Sequence, residues 1–130
     1  QLLLYLLRDF REKKPDKPSG QLIPAEILCR KIMNYIDTHI YSIRSLEEVA
    51  RHFGYSYNYL STLFRANTST TLRRYYCDKK LNTARYLLRN KNLKVTEIAE
   101  MLNYSSVYSF GKAYRLRFGI SPRDSRKENK

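Results

Sequence analysis

Tryptophan is absent, and the 130 residues hold only two cysteines and two histidines. Cys29 and Cys77 lie far apart, each inside an apolar stretch with helical spacing. They read as small buried hydrophobes and not as a disulfide framework. Neither His39 nor His52 has a cysteine or carboxylate at the spacing of a metal site or a catalytic triad. The glycines are Gly20, Gly54, Gly111 and Gly119, and they form no phosphate-cradling loop. Catalysis is therefore not expected, nor is a metal or cofactor. No apolar run reaches the roughly 18–20 residues of a membrane span, and no signal peptide is visible. A cytoplasmic protein without a membrane partner is expected. Acidic side chains are also scarce: 25 Lys and Arg stand against 12 Asp and Glu, a net charge of +13. Residues 45–122 carry 13 basic and 5 acidic side chains, so much of the surplus lies where the chain is patterned to fold. A folded basic domain suits a polyanion, most often nucleic acid.

Proline is missing where it would matter most. Pro15, Pro18, Pro24 and Pro122 are the only four, leaving residues 25–121 free to be helical. Alternating strand patterns are absent too, so the fold class is all-α. Residues 13–24 combine charge, proline and glycine and read as a linker. Before it, Leu3, Leu6, Leu7 and Phe10 share one helical face. Residues 1–12 are expected to be the end of a helical segment belonging to an N-terminal part. After the linker, Ile27, Leu28, Ile32, Tyr35 and Ile36 predict a helix over 25–39. Ser45-Leu46-Glu47-Glu48 reads as a capping box that opens a helix running through Phe53. Gly54 ends it, because glycine takes a left-handed conformation cheaply. Ser56 is placed to cap a further helix over 57–67.

The chain then repeats itself. Residues 46–56, Leu-Glu-Glu-Val-Ala-Arg-His-Phe-Gly-Tyr-Ser, return as residues 95–105, Val-Thr-Glu-Ile-Ala-Glu-Met-Leu-Asn-Tyr-Ser. Glu48/Glu97, Ala50/Ala99, Tyr55/Tyr104 and Ser56/Ser105 are identical. Gly54 pairs with Asn103, and these are the two residue types best suited to a left-handed turn. After one inserted residue, Leu60/Phe110, Phe64/Tyr114, Arg65/Arg115 and Ser69/Gly119 correspond. Each copy is a short helix, a tight turn and a second helix, with a small alanine where the helices meet. That is the helix-turn-helix pattern. Between the copies, residues 71–90 place Cys77, Leu81, Ala84 and Leu88 on one face. A helix of that length spans ~30 Å, and successive major-groove segments on one DNA face lie ~34 Å apart. The spacing suits two reading helices held one DNA turn apart.

Residues 25–126 resemble the C-terminal DNA-binding domain of the AraC/XylS family of bacterial transcription regulators. The resemblance is carried by Ile98-Ala99, Asn103-Tyr104-Ser105, Phe110, Tyr114 and Phe118-Gly119-Ile120-Ser121-Pro122, with Lys80, Ala84 and Leu87-Leu88 between the copies. It implies about seven helices in two homeodomain-like helix-turn-helix subdomains, at about 46–67 and 95–118, joined by a long helix. Residues 127–130 are expected to be a disordered tail. The resemblance also implies a bipartite site on double-stranded DNA, and it favours an activator that works with RNA polymerase. Many members carry an N-terminal part that senses a sugar or other small molecule and dimerises. Four residues depart from the family pattern. Asn103 and Ser69 stand where glycine is usual and Lys80 where arginine is usual. Ser125 stands where an aromatic is usual, so the last helix is expected to pack less firmly.

In the first copy the exposed positions of the second helix are expected to be Tyr57, Asn58, Ser61, Thr62 and Arg65. By resemblance Asn58, Ser61 and Thr62 sit where members contact base edges. Asn58 could pair with adenine, while serine and threonine read less strictly. In the second copy the comparable positions are Val107, Tyr108, Gly111 and Lys112. Lys112 suits a guanine edge and Val107 a thymine methyl, with Tyr108 beside them. Tyr57, Arg65, Ser105 and Arg115 are placed for phosphates, which fix register without reading sequence. Two other classes remain open from sequence alone. The 12 tyrosines could stack on single-stranded RNA, and a helical module could bind protein instead.

Overall fold

The computed structural model describes residues 23–128. The expectations for residues 1–12 and for 13–22 of the linker therefore lie outside the described residues. Seven helices follow: α1 (Ala25–Thr38), α2 (Leu46–Phe53), α3 (Tyr57–Asn67), α4 (Leu72–Asn90), α5 (Val95–Met101), α6 (Val107–Phe118) and α7 (Pro122–Glu128). There is no strand among the described residues. The last helix extends through Glu128, and residues 129–130 of the expected tail lie outside the described residues.

Local chemistry sets the boundaries. Pro24 precedes α1, where its missing N–H costs nothing. Ser45 Oγ accepts the Glu48 N–H at 3.3 Å. The return bond goes one residue earlier than expected: Glu48 accepts the amide of Arg44 at 3.1 Å. Ser56, Thr71 and Ser106 cap α3, α4 and α6 in the same way, at 3.1, 3.0 and 3.0 Å. Gly54 ends α2 at φ 81° and Gly119 ends α6 at φ 85°. At Ser69 no left-handed residue is used. Instead Thr68 closes α3 in extended conformation, its hydroxyl donating to Phe64 O at 2.9 Å and Thr70 O at 2.8 Å.

The buried side chains form one cluster, and α4 packs on both units. Helix α1 packs on α2 and α3, while α4 touches α3 and also α5, α6 and α7. The buried face of α1 is Leu28, Cys29, Ile32 and Ile36. Ile27 is exposed and Cys29 takes its place, so the apolar stripe is rotated from the predicted one. The same happens on α4, where Tyr76 is buried and Cys77 only half-buried. The cause is that α4 must face α3 at one end and α5 to α7 along the rest.

The repeat reaches further than its identities suggest. Residues 61–72 and 111–122 show the same order of buried, half-buried and exposed positions. Leu60, Phe64 and Leu72 answer to Phe110, Tyr114 and Pro122. Thr71 caps α4 and Ser121 accepts the Asp124 amide at 3.1 Å at the start of α7. Each unit thus ends in a third helix, α4 or α7.

Ser125 does not loosen that last helix in the way its size suggests. It is buried, and its hydroxyl meets that of Tyr114 at 2.6 Å. Arg126 donates to the carbonyls of Leu88 and Leu93, tying α7 to the end of α4.

The buried tyrosines set an alkaline limit. Burial raises Tyr55 and Tyr76 from 10.0 to about 12, and Tyr75 and Tyr104 shift upward for the same reason. Each favours the protonated folded state. Their contribution is complete below pH 10 and is lost as pH rises through the folded values. Far-UV dichroism followed with tyrosinate absorbance should therefore show cooperative unfolding beginning above pH 10. Tyrosines that titrate fully at 10 with no loss of helix would contradict this.

Candidate nucleic-acid interface

The two units present α3 and α6 in equivalent ways. In each, a short helix approaches through a buried alanine, Ala50 or Ala99. The turn bonds recur as well. Tyr55 N–H reaches Ala50 O at 3.1 Å, and Tyr104 N–H reaches Ala99 O at 3.0 Å. Asn103 takes the left-handed conformation at φ 62°, the only non-glycine to do so among the described residues.

With Leu60 and Phe64 facing inward, α3 turns Asn58, Thr62 and Arg65 outward. Tyr57 and Ser61 were expected on that face and are half-buried instead. The reason for Tyr57 is that its ring packs against the core. With Phe110 and Tyr114 facing inward, α6 exposes Val107, Tyr108, Lys112 and Arg115, while Ser105 is exposed just before it. Tyr108 is 74% exposed and Val107 44%. Gly111 is half-buried, and a Cβ built there meets no atom within 4 Å.

One residue on this face was not anticipated. Leu116 is 80% exposed, one turn beyond Lys112 and beside Arg115. Helical spacing from Tyr108 through Lys112 would have reached it. Its counterpart on α3 is the exposed Ala66. The outer stripe of α6 is therefore longer and more apolar than that of α3.

Charge separates the contact face from its supports. Arg65, Lys112 and Arg115 are exposed and make no ion pair among the described residues. Nearby cations are paired. Arg117 on α6 and Arg74 on α4 both reach Asp78, at 3.3 and 3.5 Å. Lys79 reaches Asp37 on α1 at 3.3 Å, and the Tyr75 hydroxyl donates to the same carboxylate at 2.8 Å. Acidic groups are thus used to brace α4 against α1 and α6, leaving Arg65, Lys112 and Arg115 unneutralised among the described residues.

The histidines belong to neither face. His39 and His52 stack on opposite partners of one ring, Tyr35, at 4.2 and 4.1 Å between centroids. No group of three or more His, Cys, Asp or Glu among the described residues could hold a metal ion. No helix among them is long and apolar enough to cross a membrane.

A family model described as a helix-turn-helix domain matches residues 49–128. The regulatory protein SoxS of Salmonella typhimurium is 32% identical over 99 residues, covering 76% of this chain and 92% of SoxS. The Msm operon regulatory protein of Streptococcus mutans is 31% identical over 83 residues, covering 64% of this chain but only 30% of that protein. A solved AraC-type DNA-binding transcriptional regulator from Chromobacterium violaceum superposes with a TM-score of 0.71 at 27% identity. That match covers 81% of this chain and 94% of the other. Two equivalent outward helices on a braced, basic frame, with relatives of this kind, lead to one assignment: the chain belongs to the AraC/XylS family of transcription regulators and carries its sequence-specific DNA-binding domain.

Proposed function

We propose that this domain lays α3 and α6 into two successive major-groove segments on one face of duplex DNA. The observation that carries the reading is the matched exposure of the two helices. Asn58, Thr62 and Arg65 on one answer to Tyr108, Lys112 and Arg115 on the other. Helix α4 between them has 19 residues, or about 28 Å at the usual rise, near the ~34 Å between successive groove segments.

The roles divide by chemistry. Asn58 offers a donor and an acceptor to adenine, and Thr62 a hydroxyl and a methyl. Lys112 reaches guanine, Val107 and Tyr108 present apolar surface to thymine, and Ser61 contributes from a half-buried place. Arg65, Arg115, Ser105 and the edge of Tyr57 hold phosphates. Selection of bound sites from random duplex DNA by the 130-residue chain tests this. Two conserved blocks about one DNA turn apart are expected, and a single block would overturn the bipartite reading.

Lys112→Ala should cost about 1–3 kcal/mol on the selected site and relax one base position. Equal weakening on random DNA would move Lys112 to the phosphates. Arg65→Ala should weaken binding to every sequence alike and flatten the salt dependence by about one unit of slope. Retained slope with lost specificity would reverse that role.

In the full regulator this domain would act as an activator with RNA polymerase, in the cytoplasm and on the nucleoid. A preceding part would sense a sugar or other small molecule and dimerise. The partial coverage of the Msm operon regulatory protein supports a longer architecture. RNA stacking is not favoured, because Tyr55, Tyr76 and Tyr114 are buried and Tyr75 and Tyr104 half-buried.

A further inference from the structure

Asn103 does more than make a turn. The equivalent place in the first unit is Gly54, which makes the same turn with no side chain. A left-handed turn therefore needs only glycine here. Yet Asn103 spends its amide on a distant segment. Its Nδ2 donates to Tyr41 O and to Ile43 O, both at 3.1 Å. Those carbonyls lie in the loop between α1 and α2, in the first unit.

Other groups converge on the same spot from α4. The Tyr76 hydroxyl donates to Ile43 O at 3.0 Å. Lys80, buried, donates from Nζ to Leu102 O at 3.2 Å, next to Asn103 in the second turn. Its ammonium sits 3.9 Å from the Tyr104 ring centroid and 5.0 Å from that of Tyr76. The turn of the second unit, the entry loop of the first and the middle of α4 are thus one bonded cluster.

We propose that Asn103 is a positioning residue that fixes the spacing and rotational phase between the two reading helices. It touches no DNA and acts through α5 and α6. The inference rests on the bipartite reading above. The physical logic is one of strain. DNA whose two blocks are wrongly spaced must either be deformed or pull the units apart. Pulling them apart breaks the Asn103 bonds together with the packing along α4, so those bonds add to the discrimination against wrong spacing.

The test begins with the sites selected by the native chain. Duplexes are then made with one base pair added or removed between the blocks. Asn103→Gly keeps the left-handed turn and deletes the amide, so the fold is retained, as a urea midpoint would verify. The preference for native spacing over altered spacing should fall by about tenfold, the scale of two lost hydrogen bonds. Asn103→Asp also tolerates the turn but sets a carboxylate against two carbonyls, and should broaden the spacing profile at least as far. An N103G profile identical to native overturns the inference while two selected blocks leave the bipartite reading intact. Equal weakening on every spacing also overturns it, since that marks a merely structural residue. A single selected block overturns both.

Discussion

Phe64→Ala is expected to lower the stability of the domain by about 3–5 kcal/mol, the usual cost of emptying a fully buried aromatic site. The ring is 0% exposed and lies against Tyr75 of α4, with centroids 5.8 Å apart. It therefore joins the reading helix of the first unit to the connecting helix. Domains of this size are stable by only about 5–15 kcal/mol, so about a fifth or more of the margin would go. Urea denaturation followed by far-UV dichroism measures it. The contrast is Thr62→Ala on the outer face of the same helix, expected within about 0.5 kcal/mol of native. Comparable losses at the two positions would mean that α3 does not face the way described.

Raising the salt should weaken binding by an order of magnitude or more. Each neutralised phosphate adds about −0.9 to the slope of log affinity against log salt, so two such contacts weaken binding about tenfold between 50 and 200 mM and each further one about threefold more. The unpaired Arg65 and Arg115 make contacts of this class available, one on each helix. Titration of a labelled duplex at four or five salt concentrations gives the slope directly. A flat line would remove phosphate neutralisation from the account, and with it the interpretation of the net charge of +13.

Much of the architecture was legible in the sequence because its signals are local. Ser45, Ser56 and Gly54 announce helix ends through their own side chain or its absence, and the structure places ends there. The recurrence of Ala, a turn residue and Tyr-Ser located both units. What stayed hidden depends on contacts between distant segments. Nothing near Ser125 in sequence reveals that the Tyr114 hydroxyl meets it. Nothing around Asn103 points to the carbonyls of Tyr41 and Ile43. The half-burial of Tyr57 and Ser61 has the same origin, since a helical period gives a face but not the angle at which neighbours cover it. On α6, the exposed Leu116 lies one turn beyond Lys112, so helical spacing alone reaches it.

Helix α4 serves two masters. Its first turns close the first unit as α7 closes the second, from Thr71 answering to Ser121. Its later turns do for the second unit what α1 does for the first. Buried Lys80, Leu81, Ala84 and Leu88 recur at the spacing of Leu28, Cys29, Ile32 and Ile36. The units therefore overlap within one helix instead of meeting at a joint. An overlapping pair has no seam at which to lengthen: a residue inserted into α4 would turn everything beyond it by about 100°. On the proposed bipartite reading, drift in the distance between the two DNA blocks, which a looped connection would permit one residue at a time, is closed to this chain. Substitution on the outer faces of α3 and α6 would then change what each helix reads while the distance between them stays fixed.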